Sequence, residues 1–132
     1  MTESIVVINP NSTAACTEAI DTAMQPLRLE GGPTIECVTM NEGPPGIESQ
    51  HDSDSIILPL CDYINARDND AGAFVIACFS DPGLHTARER TEHPVLGIAE
   101  KRNRDSCNFW NQCCQLIFAA RCKDSIMEIR CR

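Results

Sequence analysis

Apolar residues along this chain fall into short β-branched runs that alternate with stretches of helical spacing. Residues 4–8 (Ser-Ile-Val-Val-Ile) are nearly all apolar, as a strand buried on both faces should be. Asn9-Pro10-Asn11-Ser12 breaks the run with turn residues, and Asn11 or Ser12 is placed to cap a following helix. Ala15, Ala19 and Ala23, with Ile20, Met24 and Leu27, then recur at helical spacing until Gly31-Gly32-Pro33 ends the helix region. Residues 34–40 read as a second strand. The stretch 41–52 is a long loop rich in Gly, Pro and acidic residues, a length often tied to function.

The pattern predicts a helix over 53–65, with Ser53 as its cap and Pro59 an awkward fit inside it. A third strand covers 73–77 and a helix 82–91, with Asp81 as cap and Pro82 at the first position. Residues 94–98 form the fourth strand. The order βαβαβαβ predicts one doubly wound α/β domain over 1–100, a four-stranded parallel sheet with helices on both faces. After Glu100 this pattern fails. Phe109, Trp110, Cys113, Cys114, Leu116, Ile117 and Phe118 find neither a clean cap nor a following strand, so 101–132 is expected to be an irregular tail.

Composition sharpens that division. Residues 1–100 carry 4 Lys/Arg against 16 Asp/Glu, a net of −12, whereas 101–132 carry 7 against 3, a net of +4. The tail also holds five of the nine cysteines and the single Trp. The overall charge of −8 argues against nucleic acid or an anionic membrane as partner. No apolar run reaches the roughly 20 residues of a membrane helix, and no secretory signal is apparent, so a cytoplasmic protein is expected. In a reducing compartment the thiols stay free. Cys107, Cys113, Cys114, Cys122 and Cys131 include no C-x₂-C spacing and no His lies among them, so no metal site is expected.

The candidate chemistry lies in Phe74-Val75-Ile76-Ala77-Cys78-Phe79-Ser80-Asp81-Pro82-Gly83-Leu84. An apolar strand ends in a thiol, and a turn and a helix start follow. Ligands bind at this edge of open α/β sheets. A helix N-terminus there would favour the thiolate, the nucleophilic and basic form.

Ile8-Asn9-Pro10-Asn11-Ser12-Thr13, then Gly43-Pro44-Pro45-Gly46-Ile47-Glu48-Ser49, the Cys78 segment through Asp81-Pro82-Gly83-Leu84, and Pro94-Val95-Leu96-Gly97-Ile98-Ala99-Glu100 occur in this order. Together they resemble the aspartate/glutamate/hydantoin racemase family, nearest to its hydantoin and allantoin racemases, over residues 4–100. The resemblance implies a cofactor-independent isomerase acting on a small molecule. It also implies two similar α/β domains, with one cysteine from each on opposite faces of an acidic substrate carbon. One thiolate removes the proton and the other thiol returns one.

By resemblance Cys78 is the first catalytic cysteine and Asn11 binds the substrate's carbonyl or carboxylate-like group. Backbone N–H groups around Phe79, Ser80 and Asp81 stabilise the enolate-like charge, while Glu48 and Ser49 belong to a loop shaping the cleft. The second cysteine's glycine-flanked motif has no counterpart in Asn111-Gln112-Cys113-Cys114-Gln115. The expectation is therefore a truncated racemase of negligible activity, its tail translated from another frame and partly disordered. A sheet cut at a domain junction would also favour a homo-oligomer.

Simpler readings stand beside these. Cys16, Cys37 and Cys61 read as small buried hydrophobes. Asn11 serves equally as cap or ligand, Glu48 as a solvated carboxylate, and His51, His85 and His93 as isolated residues, with His85 on a helix surface. The alternative functions are a maleate isomerase or arylmalonate decarboxylase type of activity, or a non-catalytic small-molecule-binding remnant.

Overall fold

The computed structural model describes residues 4–102; Phe109, Trp110, Phe118 and the five tail cysteines lie outside them. Strands β1 (Ser4–Asn9), β2 (Thr34–Thr39), β3 (Ala71–Ile76) and β4 (Val95–Gly97) form one sheet in the order β2-β1-β3-β4. Every pairing is parallel. Helices α1 (Ala14–Met24), α2 (Gln50–Ser55), α3 (Ile57–Ala66), α4 (Leu84–Arg88) and α5 (Ile98–Arg102) make the connections and the C-terminal cover. The expected doubly wound α/β domain is present.

The central strands β1 and β3 are almost entirely buried, and alternate side chains feed two cores. Val6, Ile8, Phe74 and Ile76 pack with Ile56, Leu60, Ile64, Leu84 and Ala87 of the α2–α4 layer. Ile5, Val7, Ala73 and Val75 face Met24, Leu27, Ile35 and Leu96, with Ile20 of α1 against them. Phe74 is the largest fully buried side chain among the described residues, and truncating such a ring to Ala costs about 3–5 kcal/mol.

Several local expectations are corrected. The helix expected over 53–65 is two helices, broken at Ile56. Its cap is Ser49, four residues earlier than the expected Ser53, which is instead buried inside α2. Pro59 is the third residue of α3, where its missing N–H leaves no helical bond unmade. The helix expected over 82–91 is only Leu84–Arg88, capped by Gly83 at φ 68°.

α1 is capped by Thr13 without a side-chain bond, so neither Asn11 nor Ser12 caps it. Cys16, Ala15 and Ala19 are exposed on α1 rather than buried, since Met24 and Ile20 make its inner face. Cys61 is buried as expected, Cys37 is half-buried, and His85 is exposed on α4.

Candidate functional site at the carboxyl edge of the sheet

The strand order creates a switch point. The chain leaves β1 for α1 on one face of the sheet, and leaves β3 for α4 on the other. β1 and β3 are neighbours, paired from Ile5↔Ala73 to Ile8↔Ile76. Their diverging exits open a crevice at the strands' carboxyl ends, the place where ligands bind in such sheets. One step beyond the Ile8–Ile76 pair, Ala77 donates its N–H to the Ile8 carbonyl at 2.8 Å. Cys78 follows immediately. The crevice is thus bordered by the turn after β1, which contains Asn11, and by the turn after β3, which contains Cys78.

Cys78 is half-buried, and its Sγ lies 3.3 Å from the Ser80 hydroxyl. That hydroxyl can donate to an anionic sulfur and accept from a thiol. Phe79 and Ser80 are exposed, Phe79 at 72%. The turn closes when Asp81 donates its N–H to the Cys78 carbonyl at 3.1 Å, and Leu84 its own to the Asp81 carbonyl at 3.2 Å. Asp81 has φ 45°, a left-handed conformation that Asp tolerates better than most residues.

The Asp81 carboxylate does not cap the helix after it. Instead it accepts the N–H groups of Ala99 at 2.9 Å and Glu100 at 2.6 Å, at the start of α5. It lies so close to Gly97 that a Cβ there would overlap it. The helix N-terminus nearest in sequence, at Leu84, is separated from Cys78 by this turn, and the start of α5 holds Asp81's own negative charge. The expected helix start directly behind the thiol is therefore corrected.

On the β1 side the organiser is Asn9, 2% exposed at the last strand position. Its Nδ2 donates to Asn11 Oδ1 (2.9 Å), Thr17 Oγ1 (3.0 Å) and the Thr13 carbonyl (3.3 Å), while its Oδ1 accepts from the Asn11 backbone N–H (3.3 Å). Asn11 Oδ1 also accepts the Thr13 N–H at 2.9 Å, and Thr17 Oγ1 meets Thr39 Oγ1 at 2.6 Å. The β1 turn is stitched to the β2 loop as well. Ser12 N–H donates to the Pro44 carbonyl at 2.9 Å and Thr13 Oγ1 to that of Pro45 at 2.7 Å. Gly43 sits where a Cβ would overlap the Pro10 carbonyl oxygen.

Glu48 and Ser49 lie on that β2 loop, with β1 between β2 and β3. Ser49 forms a complete capping box with Asp52, and Glu48 is exposed. The contacts made by Ser49 and by the Glu48 backbone N–H point to helix capping. The structure thus puts the turns holding Asn11 and Cys78 at the same carboxyl edge, after neighbouring strands, and gives Ser49 a separate structural task. Sequence reasoning missed Asn9 and Gly97. Asn9 was hidden because Asn-Pro reads as a turn, although the buried β-branched run before it carries the residue into the core.

The other described thiols differ from Cys78 in setting. Burial, with Asp21 beside it, pushes the Cys37 thiol up to about 12, and burial likewise raises Cys61. Among the described residues, no three His, Cys, Asp or Glu side chains come together to hold a metal ion, and no helix is long and apolar enough to cross a membrane.

The family model for Asp/Glu/hydantoin racemases matches residues 5–102. The chain is 40% identical over 98 residues to a hydantoin racemase from Paenarthrobacter aurescens, covering 73% of this chain and 41% of that protein. It is 43% identical over 97 residues to a hydantoin racemase of a Pseudomonas species, covering 73% and 39% respectively. The fold superimposes on allantoin racemase from Klebsiella pneumoniae with a TM-score of 0.68 and 39% identity, over 75% of this chain and 40% of that one. The chain spans about two fifths of the length of these relatives. The matched residues take in both turns bordering the crevice, and on this basis the chain belongs to the Asp/Glu/hydantoin racemase family.

Proposed function

We propose that residues 4–102 form one catalytic half of a hydantoin- or allantoin-type racemase, in which Cys78 transfers a proton at an acidic carbon without a cofactor. The observation that carries this reading is the position of Cys78, half-buried at the β1–β3 switch point inside a stretch matched to hydantoin and allantoin racemases. A carbon flanked by a carbonyl can release its proton to a thiolate sulfur. The electron pair left behind delocalises onto the carbonyl oxygen as an enolate. The S–H bond forms as the C–H bond breaks, so the negative charge passes from sulfur to oxygen.

Polar groups fixed in advance at that oxygen stabilise the charge as it develops. Asn11 and the turn at Phe79 and Ser80 are assigned this task. Asp81 is assigned a supporting one, since its N–H is given to the Cys78 carbonyl and its carboxylate to α5. Glu48 borders the cleft. Racemisation needs a second acid on the opposite face, because a single base returns the proton to the side it came from. We assign that role to no residue of this sequence.

Residues 1–132 alone are therefore expected to leave the optical rotation of a single 5-substituted hydantoin enantiomer almost unchanged over hours. Polarimetry on the purified chain decides this. Rapid loss of rotation that persists in Cys78→Ala would overturn the assignment. Maleate and an arylmalonate, run in parallel, are expected to remain unconverted.

A further inference from the structure

The hydrogen bonds around Asn9 fix which end of the Asn11 carboxamide can meet a ligand. A backbone N–H can only donate and a backbone carbonyl can only accept. The Thr13 N–H lies 2.9 Å from one side-chain atom of Asn11, which must therefore be Oδ1. Asn9 is oriented in the same way. The Asn11 backbone N–H faces its oxygen and the Thr13 carbonyl faces its nitrogen, so Asn9 Nδ2 is the atom pointing at Asn11 Oδ1.

Asn11 Oδ1 then accepts twice, from Asn9 Nδ2 and from Thr13 N–H, which fills its two lone pairs. The Nδ2 group of Asn11 is the part left to a ligand, and Asn11 is only partly buried. With Asn9 2% exposed and bonded through both ends of its amide, reversing the arrangement would set carbonyl against carbonyl.

We propose that Asn9 is a positioning residue that locks the Asn11 amide with its N–H groups toward the β1–β3 crevice. The subsite there selects a carbonyl or carboxylate oxygen of the substrate and rejects an N–H at the same place. This rests on the racemase-type reading of the crevice and adds to it the polarity of one contact and the residue that sets it. In a hydantoin, where carbonyls alternate with ring N–H groups around a small ring, such a donor-only contact fixes which way round the ring lies over Cys78.

Asn11→Asp is the discriminating variant. Its Oδ1 keeps both inner hydrogen bonds, so the turn stays built, while the outer atom changes from donor to acceptor. The measurement is a titration of the ¹⁵N-labelled chain with a 5-substituted hydantoin, following the Asn9 and Asn11 side-chain amides and the Cys78 backbone by NMR. An imidazolidin-2-one, which lacks the carbonyl next to the reacting carbon, serves as the comparison ligand.

In the wild-type chain the Asn9 amide protons are expected to exchange slowly with solvent. Those of Asn11 should exchange fast and shift together with Cys78 on adding hydantoin. Asn11→Asp is expected to weaken hydantoin binding about tenfold or more, the loss of one hydrogen bond plus an unpaired acceptor, and to change imidazolidinone binding less. Asn9→Asp should erode the same preference for hydantoin, whereas simple loosening of the fold would weaken both ligands equally. Shifts at Cys78 without any at Asn11, or an Asn11 amide as protected as that of Asn9, would overturn the proposal and leave the functional reading standing. Shifts at neither residue would remove the functional reading, and the subsite with it.

Discussion

Asp52 accepts the backbone N–H groups of Glu48 and Ser49 and the Ser49 hydroxyl, all within 3.2 Å. Those bonds, the Ser49 hydroxyl first, hold its carboxyl below the usual value of 3.8. Arg28, by hydrogen bonding, does the same for Asp21. A carboxyl lowered in the folded state stabilises the fold above its unfolded value, and that contribution is lost as pH falls through the folded value. The melting temperature is therefore expected to drop as pH falls below about 4, and to drop less in the double variant Asp21→Asn/Asp52→Asn. Identical slopes for the two proteins would contradict this.

The Ser49–Asp52 box was legible as a motif, since Ser and Asp stand three apart before an apolar stretch. Ser49 also lies in the loop that resembles a racemase cleft, and one helix over 53–65 capped by Ser53 leaves Pro59 as an internal flaw. Splitting the segment at Ile56 removes the flaw.

Among the elements, the strands were the easiest to read. Continuous β-branched runs have few other fates, and their ends fell within two residues of the observed ones. The connection from β3 departs from its local signals, because Asp81-Pro82-Gly83 reads as a helix start while α4 begins only at Leu84. The structure uses Asp81 across space instead, at the first N–H groups of α5, against Gly97. No local signal reveals that partnership, which spans 18 residues.

Gly97→Ala places a methyl group inside the Asp81 carboxylate's position. Overpacking costs about 1–3 kcal/mol, more than the roughly 0.4–1 kcal/mol that an Ala gains over Gly through the unfolded chain. A lower melting temperature is expected, with faster alkylation of Cys78, mapped by peptide mass spectrometry, as its turn loosens. An unchanged melting temperature would show that the carboxylate does not pack there.

On the scale of the whole molecule, alternation of strands and helices gave the class, while the order β2-β1-β3-β4 came only with the structure. That order makes β1 and β3 neighbours with diverging exits, and so sets the turns that carry Asn11 and Cys78 at one edge of the sheet although they stand far apart in sequence. The central claim is that Cys78 takes a proton from an acidic carbon in this crevice. The direct test is proton NMR of one enantiomer of a 5-substituted hydantoin in D₂O, following the signal of the hydrogen on its stereogenic carbon. Wild-type chain is expected to exchange that hydrogen for deuterium faster than buffer alone while optical rotation persists, and Cys78→Ser is expected to fall to the buffer rate. Exchange at the buffer rate with the wild-type chain, or undiminished exchange in the variant, would contradict the claim.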